Sequence, residues 1–220
     1  MDFDEVVSTR RSVRGFSSRR VPDEVLRECF ELAQRAPSNC NIQPWRVFVA
    51  SGEVRDELSR RMIEATRAAI ATGGKGLPVF RFEGDYRRLQ IECAQVLYGA
   101  MGVARDDVQG RAEAIVRNYE FFGAPHAAFV CMHESFDVGV ALDVGMYVQT
   151  LMLALWSRGV GSCAQAALAS HEQITREILG IPDDLRILCG ISIGYEDESV
   201  PANRARQARE PIDRNVRFFG

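Results

Sequence analysis

Residues 137–158, DVGVALDVGMYVQTLMLALWSR, constrain this chain more than any other stretch. They read as its most apolar long helix, with Val138, Leu142, Met146, Leu151, Met152 and Leu155 expected to point inward. Such a helix needs cover from other elements and belongs at the centre of a layered fold. A membrane is not expected to supply that cover. The most apolar part, residues 146–156, is shorter than the roughly 20 residues a bilayer requires, and Gln149 and Thr150 interrupt it. Gly159-Val160-Gly161 ends the helix.

Composition narrows the class. The chain has 220 residues, 46% of them apolar, enough to bury a real core and too many for disorder. The net charge of −3 argues against a bulk nucleic-acid or anionic-membrane binder. The start, MDFDEVV, carries acids where a signal peptide needs a basic region and an apolar run, so the expected location is the cytoplasm. Six cysteines are scattered without a CxxC, and in a reducing compartment they read as small, mostly buried hydrophobes. Lys75 is the only lysine; a bias of the source genome accounts for most of the arginine excess, and chemistry only where arginines cluster.

The chain shows no repeat and no break in composition, so it reads as one domain, 1–220. Residues 1–14 look helical, with a turn at Gly15. Residues 22–36 form an amphipathic helix that opens on Pro22, carries Val25, Leu26, Cys29, Phe30 and Ala33 as its apolar stripe, and stops at Pro37. Residues 45–50 and 127–132 read as strands, and 185–193 as a third. Helices are expected over 53–72, 86–105 and 109–121, with 74–85 a loop or lid. A short extended piece follows Gly161. Ser170 and Gln173 make a capping box for a helix over 170–179 that Gly180 closes. Residues 196–220 are polar and arginine-rich, with Phe218 and Phe219 at the end. Such a tail packs poorly alone and is expected to wrap another surface, a second subunit among the candidates. Strands separated by several helices give an α/β or α+β layered domain.

Two motif matches fail on context. Gly190-Ile191-Ser192-Ile193-Gly194 fits a nucleophile elbow, but no helix follows and all three histidines (126, 133, 171) precede the serine. Gly159-Val160-Gly161-Ser162-Cys163-Ala164 fits a dinucleotide fingerprint, but a helix precedes it where a strand is required. Its glycines either admit a flat ligand to the backbone or cap the helix. The histidines are too scattered for a metal site, and His126 beside Pro125 reads as a core or loop residue.

Three clusters survive. In Thr9-Arg10-Arg11-Ser12-Val13-Arg14, a helix would put Arg10 and Arg14 on one face, and three guanidinium groups with a hydroxyl suit a phosphate. The alternative is a solvated basic face. Pro37-Ser38-Asn39-Cys40-Asn41-Ile42-Gln43-Pro44-Trp45 packs amides and a hydroxyl into a proline-bounded loop, which suits the polar edge of a heterocycle. Arg204, Arg206 and Arg209 either add a cation to the same phosphate or lie in water.

These motifs, in this order and followed by LGIPDDLRILCGISIGY, resemble the FMN-dependent nitroreductase family over nearly the whole chain; NYEFFGAPHAAF and DVGMYVQTLMLAL resemble its nitrobenzoate-reductase-like branch. The resemblance implies an α+β fold, a central antiparallel sheet flanked by helices, in an intertwined homodimer whose C-terminal tails reach onto the partner. It implies two FMN molecules at the dimer interface, with NADH or NADPH as hydride donor and a nitroaromatic or quinone as acceptor. Arg10, Arg11, Ser12 and Arg14 then match the phosphate and ribityl motif. Pro37, Ser38, Asn41 and Gln43 match the loop lent to the partner's flavin. Gly159, Val160 and Gly161 match the segment facing the ring, and Arg209, with Arg206, the tail arginine on the phosphate. Cys40 stands where the family often has a smaller residue. No side-chain nucleophile or acid–base pair is required, because the flavin carries the chemistry. Phe80, Phe82, Tyr119, Phe121 and Phe122 are candidates for an acceptor pocket or for the core. A flavin enzyme of the same fold with other chemistry (ring fragmentation, reductive dehalogenation or ring dehydrogenation) is the alternative.

Overall fold

The computed structural model describes residues 1–74 and 81–220. In chain order these form α1 (Phe3–Thr9), α2 (Asp23–Ala33), β1 (Arg46–Ser51), α3 (Gly52–Ala71), α4 (Gly84–Ala100), α5 (Val108–Tyr119), β2 (His126–His133), α6 (Val138–Trp156), β3 (Gly161–Gln165), α7 (Glu172–Leu179), β4 (Leu185–Gly194) and α8 (Ile212–Asn215). The strands make one sheet in the order β1-β2-β4-β3, every pair antiparallel. This is the α+β arrangement that the resemblance implies.

β2 lies at the heart of the molecule because nearly all its residues are apolar. Ala127, Phe129 and Cys131 face one core, and Ala128, Val130 and Met132 face the other, as a pleat with period two requires. The first core takes Leu58 and Met62 of α3, Tyr119 of α5, and Phe121 and Leu168. The second takes Leu26, Cys29 and Ala33 of α2, and Val144, Tyr147, Leu151 and Leu155 of α6. Each large side chain so buried contributes about 1.5–3 kcal/mol.

Several sequence expectations change here. The first helix stops at Thr9 rather than 14, and Arg10 already has extended backbone angles (φ −56°, ψ 133°). Ser12 forms a bridge with Ser162, and the Val13 N–H donates to the Ser162 carbonyl at 3.0 Å. Strand-like pairing outcompetes helix propensity, so Arg10 and Arg14 do not share a helix face. The helix over 86–105 ends at Ala100, and that over 109–121 ends at Tyr119. Phe121 and Phe122 then take positive φ, 54° and 55°. The expected capping box is absent: the Ser170 hydroxyl donates to the Ala167 carbonyl, closing a 3-10 turn, and helix α7 starts at Glu172. Gly180 does close α7, with φ +63°.

The apolar helix differs most. At 19 residues, α6 is long and apolar enough to cross a membrane by length and composition, a possibility missed by counting only residues 146–156. Its Val144, Tyr147, Leu151, Ala154 and Leu155 face is buried in protein. Of the six residues expected inward, Leu151 and Leu155 are, whereas Val138 is 86% exposed and Leu142 67%. One apolar face of α6 is therefore packed and the other is bare within the chain.

Candidate functional site

Alternation along the extended N-terminal segment sorts its side chains. Val13 is fully buried and occupies the space where a Cβ on Gly161 would lie, 2.8 Å from the Val13 Cγ2. Arg11 forms an ion pair with Glu196, and its guanidinium stacks 5.0 Å from the Trp156 ring centre. Trp156 in turn donates through Nε1 to the Thr9 hydroxyl at 2.9 Å. Arg11 is thus a latch between the N-terminal segment, the end of α6 and the end of β4. The Glu196 carboxylate matches the Arg11 charge, while the buried Arg11 Nε has no hydrogen-bond partner among the described residues.

Arg10, Ser12 and Arg14 fall on the other side. All three act on the buried thiol of Cys163: burial pushes that thiol up, and Arg14, a hydrogen bond from Ser12 and Arg10 oppose the shift. Burial and the charge of Arg209 hold the Arg10 guanidinium below its ordinary range. The two ends of the chain therefore meet. Asn203 joins them: its Oδ1 accepts the Arg14 N–H at 2.7 Å, and its Nδ2 donates to the Gly15 carbonyl at 2.8 Å. Nothing in the sequence distinguishes Asn203 from other tail residues, and it was missed for that reason. Of the tail arginines, Arg206 spends Nη1 on the Asn203 and Ala205 carbonyls. Among the described residues, Arg209 bonds only the nearby Gln207 and Ala208 carbonyls.

The electrostatics of this cluster are one-sided. Among the described residues, no carboxylate pairs with Arg10, Arg14, Arg206 or Arg209. Gathered cations with a serine hydroxyl and no internal counter-ion fit a phosphate dianion, which guanidinium forks bind in bidentate fashion. The segment beside the cluster is shaped by its glycines. Gly159 terminates α6 with φ +71°, Val160 is buried in the core, and Gly161 is held against Val13. Gly159 thus caps the helix, and Gly161 opens β3. The rejected motifs stay rejected: Ser192 lies within β4 with its hydroxyl on Gln165, and Gly161 opens a strand where the fingerprint needs a helix.

The loop 37–44 is built but distant. The Gln43 N–H donates to the Ser38 hydroxyl at 3.0 Å, and Gln43 Nε2 to the Asn41 carbonyl at 2.9 Å. Cys40, Asn41 and Gln43 all take positive φ, between 47° and 54°. Pro37, Asn41 and Gln43 are exposed and Ser38 half-buried. The loop sits near the start of α6, where Asp143 accepts the Asn39 N–H, whereas Arg11 and Trp156 mark its end. About 20 Å of helix separates the two groups, so one chain does not bring the loop to the arginine cluster.

The aromatic candidates divide. Tyr119, Phe121 and Phe122 belong to the core. Phe122 also lines a cavity of about 230 Å³ with Arg14, Tyr98 and Arg117. Phe82 is exposed, and Phe80 lies outside the described residues. His126 is a core residue, as read: Nε2 accepts the Val21 N–H at 3.1 Å and Nδ1 meets the Ser51 hydroxyl.

Comparison with known proteins agrees with this fold. The model of the nitroreductase family matches residues 7–195. The 4-nitrobenzoate reductase of Nocardioides sp. (strain LMS-CY) is 37% identical over 99% of this chain and 90% of its own. The crystal structure of the FMN and NADPH-dependent nitroreductase NfnB from Sphigopyxis sp. strain HMH superposes with TM-score 0.92 at 32% identity, covering both chains fully. That of the FMN-dependent NfnB from Mycobacterium smegmatis, in complex with NADPH, gives TM-score 0.89 at 36% identity over 99% of this chain and 97% of that one. With the fold, the motif order and whole-length relatives in agreement, this chain belongs to the nitroreductase family.

Proposed function

We propose that this protein is an FMN-dependent oxidoreductase that takes hydride from NADH or NADPH and reduces nitroaromatic acceptors, nitrobenzoates among them, or quinones. The observation that carries the reading is the uncompensated cluster of Arg10, Ser12, Arg14 and Arg209, drawn from both ends of the chain. When bound, the flavin supplies hydride storage and delivery at N5. The protein's part is placement. Arg10, Arg14 and Arg209 neutralise the phosphate, Ser12 adds a donor, and the backbone at Gly159 lies open for a flat ring. The core enzyme needs no nucleophile.

The working unit we infer is a homodimer. The bare face of α6, with Val138 and Leu142, needs cover. An isologous pairing sets the start of one α6 beside the end of its partner's, which delivers each 37–44 loop to the other chain's arginine cluster. The exposed Phe218 and Phe219 at the end of the tail suit contact with the partner. We read residues 1–220 as one domain with that tail, and the cytoplasm as its location, where the six free thiols stay reduced.

Purified protein tests this directly. It should be yellow, bleach on addition of NAD(P)H, and turn over 4-nitrobenzoate with consumption of NAD(P)H. Ping-pong kinetics are expected, since donor and acceptor use one slot in turn. A colourless protein that takes up no added FMN would overturn the reading. A flavoprotein that bleaches yet reduces no nitroarene would favour another flavin chemistry.

A further inference from the structure

The helix α6 carries one charged side chain, Asp143, and buries it to 6% exposure. A carboxylate in such a place is costly unless a partner needs it. Its Oδ2 accepts the backbone N–H of Asn39 at 2.9 Å, at the entry to the 37–44 loop. One turn further along the same face, Tyr147 stacks on Trp45 at the loop's exit, ring centres 4.7 Å apart and planes 21° apart. Trp45 is fixed from its other edge by Nε1 donating to Gln34 at 2.9 Å. Residues four apart on a helix thus grip both ends of the loop.

Between these grips the loop is bonded mainly to itself. The Asn41 N–H donates to the Ser38 carbonyl and the Ile42 N–H to the Asn39 carbonyl. Ser38 and Asn41 also receive the two Gln43 bonds. Three of its residues hold positive φ without being glycine, a conformation that persists only where the surroundings impose it. The Asp143 bond ties the first of these turns to the helix scaffold.

We propose that Asp143 is a positioning residue for flavin binding: through the Asn39 N–H it fixes the loop in the shape that presents Asn41 and Gln43 to the flavin of the partner subunit. This rests on the reading, given above, that the loop meets the flavin. Asp143 also adjoins Leu142 on the bare face of α6, so the same helix would hold the dimer and the loop in fixed relation.

The test compares holo-protein variants by FMN dissociation constant and flavin midpoint potential. Asp143→Ala should weaken FMN binding about tenfold and shift the potential, with the protein still dimeric. Asp143→Asn keeps an acceptor for the Asn39 N–H and should restore both to within about twofold of the parent protein. Asn41→Ala reports on the loop itself. If Asn41→Ala weakens FMN binding and Asp143→Ala does not, the proposal falls and the loop reading stands. If neither Asn41→Ala nor Gln43→Ala weakens it, the loop reading falls and takes the proposal with it. Should Asp143→Ala fail to fold, Asn39→Pro deletes the same bond from the loop side. Unchanged FMN affinity and potential in that variant would equally overturn the assignment.

Discussion

Arg10 and Arg209 come from opposite ends of the chain, and burial, followed by the repelling charge of Arg209, holds the Arg10 guanidinium below its ordinary range. Among the described residues neither has a carboxylate partner, so an anion between them would relieve the repulsion.

Arg209→Ala should therefore weaken FMN binding by roughly 10-fold or more, the worth of one charge-assisted hydrogen bond. The loss should shrink at high salt. Arg206→Ala, whose side chain serves its own backbone, should change affinity little. Fluorescence titration of the apoprotein with FMN at two ionic strengths checks both. Equal affinity in Arg209→Ala and the parent would remove Arg209 from the site.

Arg11 should behave as a latch. Its ion pair with Glu196 is partly exposed (26% and 15%), so with the Trp156 stacking it is worth about 1–2 kcal/mol. Arg11→Leu should lower Tm by roughly 2–6 °C and leave FMN affinity within a few-fold. A loss of FMN affinity as large as that in Arg10→Ala would instead make Arg11 a phosphate ligand.

Gly161→Ala would set a Cβ 2.8 Å from the Val13 Cγ2 and 3.3 Å from the Gly194 carbonyl oxygen. Overpacking of this kind costs about 1–3 kcal/mol. Relief by moving Val13 would also displace Ser12, so chemical denaturation and FMN titration should both register the change. Normal values in both would show that the segment yields more than its packing suggests.

Stability should fall as the pH drops below about 6.5. Burial lowers the folded-state pKa of His126, with Arg20 reinforcing it, and burial does the same to His171. The unfolded chain then binds more protons between the folded and unfolded pKa values, so stability is full above that window and is lost descending through it. The His126 ring also accepts the Val21 N–H, which an imidazolium cannot do. Thermal melts at pH 7.5 and 5.5 should show the drop, reduced in His126→Gln. An equal drop in the variant would assign the effect elsewhere.

Leu142→Glu places a charge on the bare face of α6. Light scattering should find a monomer, and FMN should be lost with it because each loop then has no cluster to reach. A dimer with full flavin content would refute the α6 interface.

Much of the architecture was legible because its signals are local. The stripe of α2, the alternation in β2 and the stop at Gly180 depend on residues a few positions apart. The misreadings share a cause in the opposite direction. Residues 10–14 lost their helix to pairing with Ser162, Ser170 turned its hydroxyl away from the expected cap, and Val138 and Leu142 pointed outward because the core had one face to offer α6.

The sequence by itself determined the family, the three clusters and most of the elements, since these follow from residue types at fixed spacing. Only the tertiary structure decided how the clusters relate. It paired Arg11 with Glu196 and left Arg10 and Arg14 without a carboxylate among the described residues, stapled the tail to Arg14 and Gly15 through Asn203, and set the 37–44 loop on Asp143, far from the arginines of its own chain. Those relations join residues distant in sequence, and they depend on which groups packing leaves buried and unpaired, a quantity that exists only once the chain has folded.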